Sequence, residues 1–315
     1  MENLAVALLA FFAVGYFVLG GADIGTGMIM PFLGRDEHER RLVVAAVAPF
    51  FLGNEVWLVA TIGILAGAFP VLEGTLLHAL FPGFLALVAA WVVRDMGLWL
   101  RGRVDTRPWR ALWDTAIVSG SWGLALSWGL ILTAVLTGHA ATGPASASGT
   151  AFTTETASVT DTAFTIGPAS AAHAAFTTGP VAGTHAAFTT GPVAGTDVAF
   201  AIGPVAVLGM LAVVALFAAH GFAFAALRLS GTLRARARRL SGTAREGLPA
   251  ALTAAAMAAL CLGAGARLAP GRAVADPATL AFLVPPLLAV TPLLLAAQAW
   301  VWWLFRHRVT RPAYL

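Results

Sequence analysis

Long apolar runs separated by short polar segments make up most of the chain. Windows of about 20 apolar residues, the length that crosses roughly 30 Å of hydrocarbon, recur along it. They lie at residues 4–26, 49–69, 76–96, 114–137, 200–226, 249–266 and 278–305. This pattern predicts an all-α fold, a polytopic integral membrane bundle of about seven transmembrane helices.

Composition supports this prediction. The 315 residues are 59% hydrophobic and only 11% charged, far from the balance of a soluble domain. The 19 basic residues are all arginine, and with so much alanine and glycine this indicates a GC-rich genome. We therefore expect no nucleic acid among the partners, in spite of the basic net charge.

The arginines also predict the orientation of the helices. They are concentrated after the first, third, fifth and seventh apolar segments, at 35–41, 101–110, 228–245 and 306–311, whereas Arg267 and Arg272 lie on the opposite side. By the positive-inside rule the N-terminus is outside and the C-terminus cytoplasmic. The first segment lacks a basic leader region, so we interpret it as a retained helix and not as a cleaved signal.

The apolar segments divide the chain into three parts. Residues 1–137 form an N-terminal four-helix half and residues 200–315 a C-terminal three-helix half, joined by an external loop at 138–199. This loop is rich in Ala, Gly, Thr and Pro, and "HAAFTTGPVAGT" occurs twice in succession, at 173–184 and 185–196. His173 and His185 come with these copies, so duplication explains their spacing better than metal binding does.

Ionisable residues inside the apolar segments are the main functional signal. Asp23, Glu55, Arg94 and Asp114 are predicted to lie at similar depth, in the cytoplasmic half of the membrane. Such groups are costly in hydrocarbon and usually face a bundle interior, where they mark ion or proton pathways. They are therefore candidates for a proton path.

Glu55 and Asp23 also have a purely structural interpretation. Glu55 could pair with Arg94 and lock the bundle together. Asp23 could make a helix-end hydrogen bond within "GGADIGTG", whose Gly21 and Gly25 form a small-residue packing face. The Asn54 amide is expected to bond a neighbouring helix under either interpretation.

Cofactor chemistry in this chain alone is restricted by its histidines. His220 is the only one predicted to lie inside the membrane, because His38 is expected in a loop and His78, like Glu73, at the external turn between the second and third segments. Two facing imidazole ligands for a haem are therefore excluded. Ligation by His220 with a methionine such as Met210 stays open, as do a buried hydrogen bond and a place in the proton path. We predict no metal site and no haem held by this chain alone.

Several motifs, in order, carry a family resemblance. "GYFVLGGADIGTGMIMPFLGRDEHERR", "APFFLGNEVWLVA", which contains Trp57, "WVVRDMGLWLRGR" and "RALWD", which contains Trp113, resemble subunit II of the cytochrome bd family of quinol oxidases. Trp57 and Trp113 are taken as structural and packing residues of these motifs.

The resemblance implies a location in the bacterial cytoplasmic membrane and a haem-free companion of a haem-bearing subunit I. The partner would hold haems b and d, and the complex would oxidise a quinol and reduce oxygen to water. This chain would then be catalytic only as a subunit, serving as scaffold and helping to deliver protons from the cytoplasm. A small accessory single-helix subunit, membrane lipid and quinone are the other partners implied.

The chain departs from the family pattern at the proton path. Gly20 replaces the first Asp of the family's DGxDxG motif, and Phe51 and Leu52 replace a Trp-Asp pair, whose Asp the family is thought to use in proton transfer. The proton-transfer role of that Asp would then move to Glu55. Two alternatives are a proton-coupled transporter, which would show two matching halves that this sequence lacks, and a purely stabilising subunit.

Overall fold

Residues 1–138, 204–241 and 247–311 are described by the computed structural model, and the regular elements of this part of the chain are helices. Leu229 and Val309 form an isolated bridge. In chain order the helices are α1 (Glu2–Leu33), α2 (Glu37–Val47), α3 (Phe51–Ala68), α4 (Pro70–Ala79), α5 (Phe81–Leu100), α6 (Arg107–Leu136), α7 (Pro204–Arg228), α8 (Gly231–Ser241), α9 (Leu248–Leu268) and α10 (Pro277–Leu304), with a 3-10 turn at Pro270–Arg272.

Seven of these helices are long and apolar enough to cross a membrane, namely α1, α3, α5, α6, α7, α9 and α10. The prediction of an all-α bundle with about seven spans is therefore confirmed for the described residues. Which end of the bundle faces the cytoplasm stays a prediction, as does the division into halves. The predicted repeat loop lies outside the described residues, apart from residue 138.

The other three helices are short and were not predicted. His38 lies within α2 and not in a loop, because Asp36 caps this helix by accepting a hydrogen bond from the backbone N–H of Glu39 at 2.8 Å. Glu73 and His78 lie on α4 and not in a turn, and the third span begins at Phe81 and not at residue 76. Windows of about 20 residues cannot detect helices of 10 or 11 residues.

Helix α1 is central, packing against α3, α6, α7 and α9. Its closest neighbour is α7, where Gly25 lies directly against Gly221. A Cβ added at Gly25 would lie 2.0 Å from the carbonyl oxygen of Phe217, and one added at Gly221 would lie 2.1 Å from the carbonyl carbon of Gly25. The two backbones touch because neither residue has a side chain, as in other small-residue contacts between membrane helices.

Two kinds of contact define the ends of the bundle. At one end the backbone N–H of Ala275 donates to the carbonyl of Ala68 at 2.8 Å, which joins the start of α10 to the end of α3. At the other, the arginine-rich end, Arg236 of α8 donates to Glu39 of α2 and to the carbonyl oxygen of Leu33. This second end carries the charged helices α2 and α8.

Candidate functional site

Asp23 and Asn54 form the inner part of a buried polar group between α1 and α3. Asp23 is 2% exposed, and its Oδ2 accepts a hydrogen bond from Asn54 Nδ2 at 2.6 Å. The same amide nitrogen donates to the carbonyl of Leu19 at 3.1 Å. The other carboxyl oxygen of Asp23, Oδ1, is buried and has no partner among the described residues. A buried acceptor of this kind is a position for a water molecule or a transferable proton.

Glu55 and Arg94 complete the group from α3 and α5. Arg94 is 3% exposed, and its Nη1 lies 3.8 Å from Glu55 Oε1 and 3.1 Å from Asp95 Oδ1. The indole N–H of Trp91 donates to Glu55 Oε1 at 2.9 Å. Glu55 therefore has both an ion-pair partner and a neutral donor. We call Asp23, Asn54, Glu55, Arg94 and Asp95 the buried carboxylate cluster.

Two small cavities lie on either side of the Asp23 and Arg94 side chains. The first, of 10 Å³, is lined by Tyr16, Asp23, Asn54, Glu55, Trp91 and Arg94, among others. The second, also of 10 Å³, is lined by Asp23, Thr26, Val43, Val44 and Arg94, among others, and so reaches α2 at the arginine-rich end. A space of this size is about the minimum for one water molecule, and the first cavity offers several polar partners for it.

A much larger cavity of 520 Å³ lies beyond Trp91, which lines both it and the first small cavity. Its walls come from α1, α3, α4, α5, α6 and α9 and are almost entirely apolar. An apolar cavity provides no hydrogen-bonded route for a proton. The polar surroundings of the cluster therefore end at the Trp91 side chain.

The positions at which the chain departs from the family pattern differ in their relation to this cluster. Gly20 and Phe51 line the first cavity, whereas Leu52 is 48% exposed on α3 and does not. An aspartate at position 52 would therefore start from the outer side of the helix. Glu55, one turn further on, is the carboxylate of α3 that contacts Arg94.

Asp114 does not join the cluster, although the sequence placed it at a similar depth. It lies two turns into α6. Its Oδ1 accepts from Arg101 Nε at 2.5 Å, and its Oδ2 lies 3.1 Å from Arg40 Nε. Arg101 is fully buried and also donates to Glu37 at 3.1 Å. These contacts tie α2, α5 and α6 together at the arginine-rich end, which is a structural arrangement.

His220 is also separate from the cluster, on the α7 side of α1. Its Nε2 lies 2.8 Å from the carbonyl oxygen of Val18, and its Nδ1 lies 2.7 Å from the hydroxyl of Thr253. Neither ring nitrogen can ligate iron without breaking one of these bonds, so the site does not fit a haem ligand. Among the described residues no group of three or more His, Cys, Asp or Glu side chains is arranged to hold a metal ion.

The remaining residues singled out from the sequence make packing contacts. Trp57 covers Gly15, where an added Cβ would lie 2.0 Å from the indole ring. Trp113 stacks edge-on against Trp109, with ring centroids 5.5 Å apart. Gly21 faces α7 and α9, with Met257 3.4 Å from the position of an added Cβ. Of the sequence-predicted site residues, the structure therefore brings Asp23, Asn54, Glu55 and Arg94 together. Trp57 joins them through Gln298, to whose Oε1 its indole N–H donates at 3.4 Å.

Three members of this site were missed by sequence reasoning. Asp95 follows Arg94 directly, and this adjacency was the available signal. Trp91 lies one turn before Asp95 on the same helix. Gln298 of α10 donates from Nε2 to Asn54 Oδ1 at 3.0 Å, and a polar amide in a long apolar helix was the only signal for it.

Comparison with known proteins assigns the family. Residues 1–270 match the family described as cytochrome bd terminal oxidase subunit II. Cytochrome bd ubiquinol oxidase subunit 2 of Bacillus subtilis is 36% identical over 121 residues, which is 38% of this chain and 36% of that protein. Cytochrome bd-I ubiquinol oxidase subunit 2 of Escherichia coli K12 is 32% identical over 114 residues, which is 36% of this chain and 30% of that protein.

A third relative, a probable cytochrome oxidase subunit 2 of Haemophilus influenzae, is 29% identical over 131 residues, which is 42% of this chain and 35% of that protein. The chain thus spans about a third of the length of the curated relatives that it matches. Together with the membrane-length helices, these matches identify a multi-pass protein of the bacterial membrane. The chain belongs to the cytochrome bd terminal oxidase subunit II family.

Proposed function

We propose that the chain is the haem-free companion subunit of a bd-type quinol oxidase and delivers protons to it through the buried carboxylate cluster. Its complex would oxidise a quinol and reduce oxygen to water at haems b and d of subunit I, with a small single-helix subunit as an optional further member. The chain is then an oxidoreductase only as part of this complex. The names of its relatives support the oxidase assignment.

The arrangement of Asp23 and Arg94 between two water-sized cavities is the observation that carries the proton role. A proton entering from the arginine-rich end, which we assign to the cytoplasm by the positive-inside rule, would reach the cavity beside α2. Asp23 lines this cavity, and its Oδ1 is a buried oxygen without a described partner, so it is available to a water molecule. A water molecule in the other cavity would lie between Asp23 and Glu55, which both line it.

The balance of charge in the cluster also favours proton binding. Asp23, Glu55 and Asp95 are carboxyl groups, whereas Arg94 is the guanidinium that lies among them. One guanidinium compensates one carboxylate, so the cluster is nearest neutrality when two of the three carboxyls carry a proton. Buried sites strongly disfavour uncompensated charge. The cluster is therefore suited to taking up and releasing protons.

The oxidase assignment can be tested by comparing the chain alone with the native complex. Expressed alone and purified in detergent, the chain should show no stoichiometric haem Soret band, because the ring nitrogens of His220 already bond Val18 and Thr253. Purified from its native membrane, it should bring a larger haem-bearing partner and quinol-dependent oxygen consumption. A stoichiometric Soret band in the lone chain, or a native complex without haem, would contradict the proposal.

A further inference from the structure

Gln298 is the side chain of α10 that reaches the buried carboxylate cluster. This helix contacts α3 and α1 and is the least buried of the spanning helices. Near its end, Val301, Trp302 and Phe305 pack against a core that includes Phe50. These aromatic and aliphatic contacts hold the α10 backbone in place, so Gln298 is not needed simply to keep the helix against the bundle.

The Gln298 amide is part of a chain of hydrogen bonds that ends at Asp23. The indole N–H of Trp57 donates to Gln298 Oε1 at 3.4 Å, and Gln298 Nε2 donates to Asn54 Oδ1 at 3.0 Å. Asn54 Nδ2 then donates to Asp23 Oδ2 at 2.6 Å. The side chains of α3, α10 and α1 are thereby connected in one line across the site.

The groups at both ends of this series of hydrogen bonds fix the orientation of the Gln298 and Asn54 amides. A tryptophan indole can only donate, so the oxygen of Gln298 must face Trp57 and its nitrogen must face Asn54. A backbone carbonyl can only accept, so the Asn54 nitrogen must face Leu19, to which it donates at 3.1 Å. Turning either amide over would put two donors or two acceptors against each other, which costs the hydrogen bond and leaves buried groups unpaired.

The orientation of the Asn54 amide determines which kind of hydrogen bond Asp23 makes. Because Asn54 presents its N–H₂ and not its oxygen, Asp23 accepts a hydrogen bond, and this favours the ionised carboxylate over the protonated one. Other titratable or charged side chains near this carboxyl are Tyr16 of α1, Glu55 of α3, and Arg94 and Asp95 of α5. His220 of α7 lies beside Gly21 instead. None of these side chains bonds the Asn54 amide. Gln298 is therefore the residue that hydrogen-bonds Asn54 Oδ1.

We propose that Gln298 is a positioning residue of the proton path, holding the Asn54 amide so that it donates to Asp23 and thereby setting the pH range in which Asp23 relays protons. The inference rests on the proposed function. Gln298 itself touches no substrate and acts through Asn54. Gly53 makes room for it, since a Cβ added there would lie 3.3 Å from Gln298 Oε1.

The test is the Gln298→Met substitution in the assembled complex, because methionine keeps the length of the side chain and removes its hydrogen bonds. Without Gln298, Asn54 loses the partner that fixes its oxygen, and its donation to Asp23 weakens. The midpoint of the pH profile of quinol oxidase turnover per haem should move upward by about half a unit to one unit, the equivalent of one neutral hydrogen bond. The amounts of complex and of haem should stay normal.

Thr291→Val is the matched control on the same helix. The Thr291 hydroxyl donates to the carbonyl of Leu287 within α10, and Thr291 lines neither of the two small cavities beside Asp23, so its loss should leave the pH profile unchanged. Gln298→Glu is a second variant that keeps the shape. An ionised Glu accepts from both Trp57 and Asn54, which turns the Asn54 oxygen toward Asp23 and moves the profile upward as well.

Two results would overturn the inference. An unchanged pH profile in both Gln298 variants, or loss of the complex in both, would leave Gln298 as a polar contact between helices. Failure of the proposed function is recognised separately, through Glu55→Gln. If that variant has normal turnover, proton delivery through the cluster is wrong, whereas reduced turnover in it with unchanged Gln298 profiles refutes the positioning role only.

Discussion

The Glu55→Gln substitution separates a proton-carrying carboxylate from one that only pairs with Arg94. Glutamine keeps the shape of the side chain and can still accept the hydrogen bond that Trp91 donates to Glu55 Oε1. The substitution removes the ionisable carboxyl group and with it the negative charge. If Glu55 carries protons, turnover per haem should fall by about a hundredfold, the lower end of the range that a positioned proton-transfer group contributes, while haem content stays normal.

The structure sets the expected cost in stability. At 3.8 Å between Arg94 Nη1 and Glu55 Oε1, the Coulomb attraction is about 4 kcal/mol for an effective dielectric constant of about 20. Asp95 lies nearer to the same nitrogen, at 3.1 Å, and remains in the variant. The guanidinium is therefore not left uncompensated, and we expect a loss of about 1–2 kcal/mol instead of the roughly 3–5 kcal/mol of a stranded buried charge.

The assay measures the amount of complex in the membrane and the quinol oxidase turnover per haem in the same preparation. Glu73→Gln on α4 is the matched control, because it makes the same chemical change outside the cluster. Reduced turnover with normal complex supports proton transfer by Glu55. Loss of the complex with normal turnover per remaining haem would identify a structural ion pair, and full turnover with full assembly would refute both roles.

Three further predictions concern the architecture. Gly25→Ala should greatly reduce the amount of complex, because the new Cβ would lie 2.0 Å from a backbone oxygen of α7, whereas Gly63→Ala, with nothing within 4 Å of its Cβ, should not. A cysteine at Gly271 should react with an impermeant reagent from outside the cell and one at Arg239 should not; the opposite result would reverse the orientation. A hydrogen bond from Arg236 lowers the pKa of Glu39, so this tether stabilises the fold above the ordinary glutamate pKa of about 4.3 and is lost as the pH falls through the lowered value. A spin-label distance between α2 and α8 should lengthen in that acid range, and a constant distance would contradict it.

Properties that depend on one segment at a time could be predicted from the sequence. The seven spans follow from hydropathy alone, because each helix must cover the thickness of the hydrocarbon by itself. The pairing of Glu55 with Arg94 was one of two interpretations, and the structure contains that contact. Depth along a helix, counted at about 1.5 Å per residue, was sufficient to bring these two residues to the same level.

Properties that depend on which way a helix faces could not be predicted. Asp114 was expected at the level of the cluster, but depth says nothing about direction around the bundle axis, and Asp114 faces Arg101 instead. The bond between Gln298 and Asn54 joins residues 244 positions apart. No local periodicity encodes such a contact, because it arises only when α10 is placed beside α3.

Arg101 has a consequence for the order in which the chain enters the membrane. Its side chain is fully buried in the folded protein, held by Asp114, which lies 13 residues later. Its other carboxylate partner, Glu37, precedes it in the chain, so during synthesis Arg101 has only one of its two partners until Asp114 has emerged, and a buried guanidinium needs both to be well compensated. We therefore expect the C-terminal end of the nascent α5 to stay at the aqueous surface until α6 supplies Asp114. The residue that joins α5 to α6 in the finished fold would then also favour their insertion as a pair.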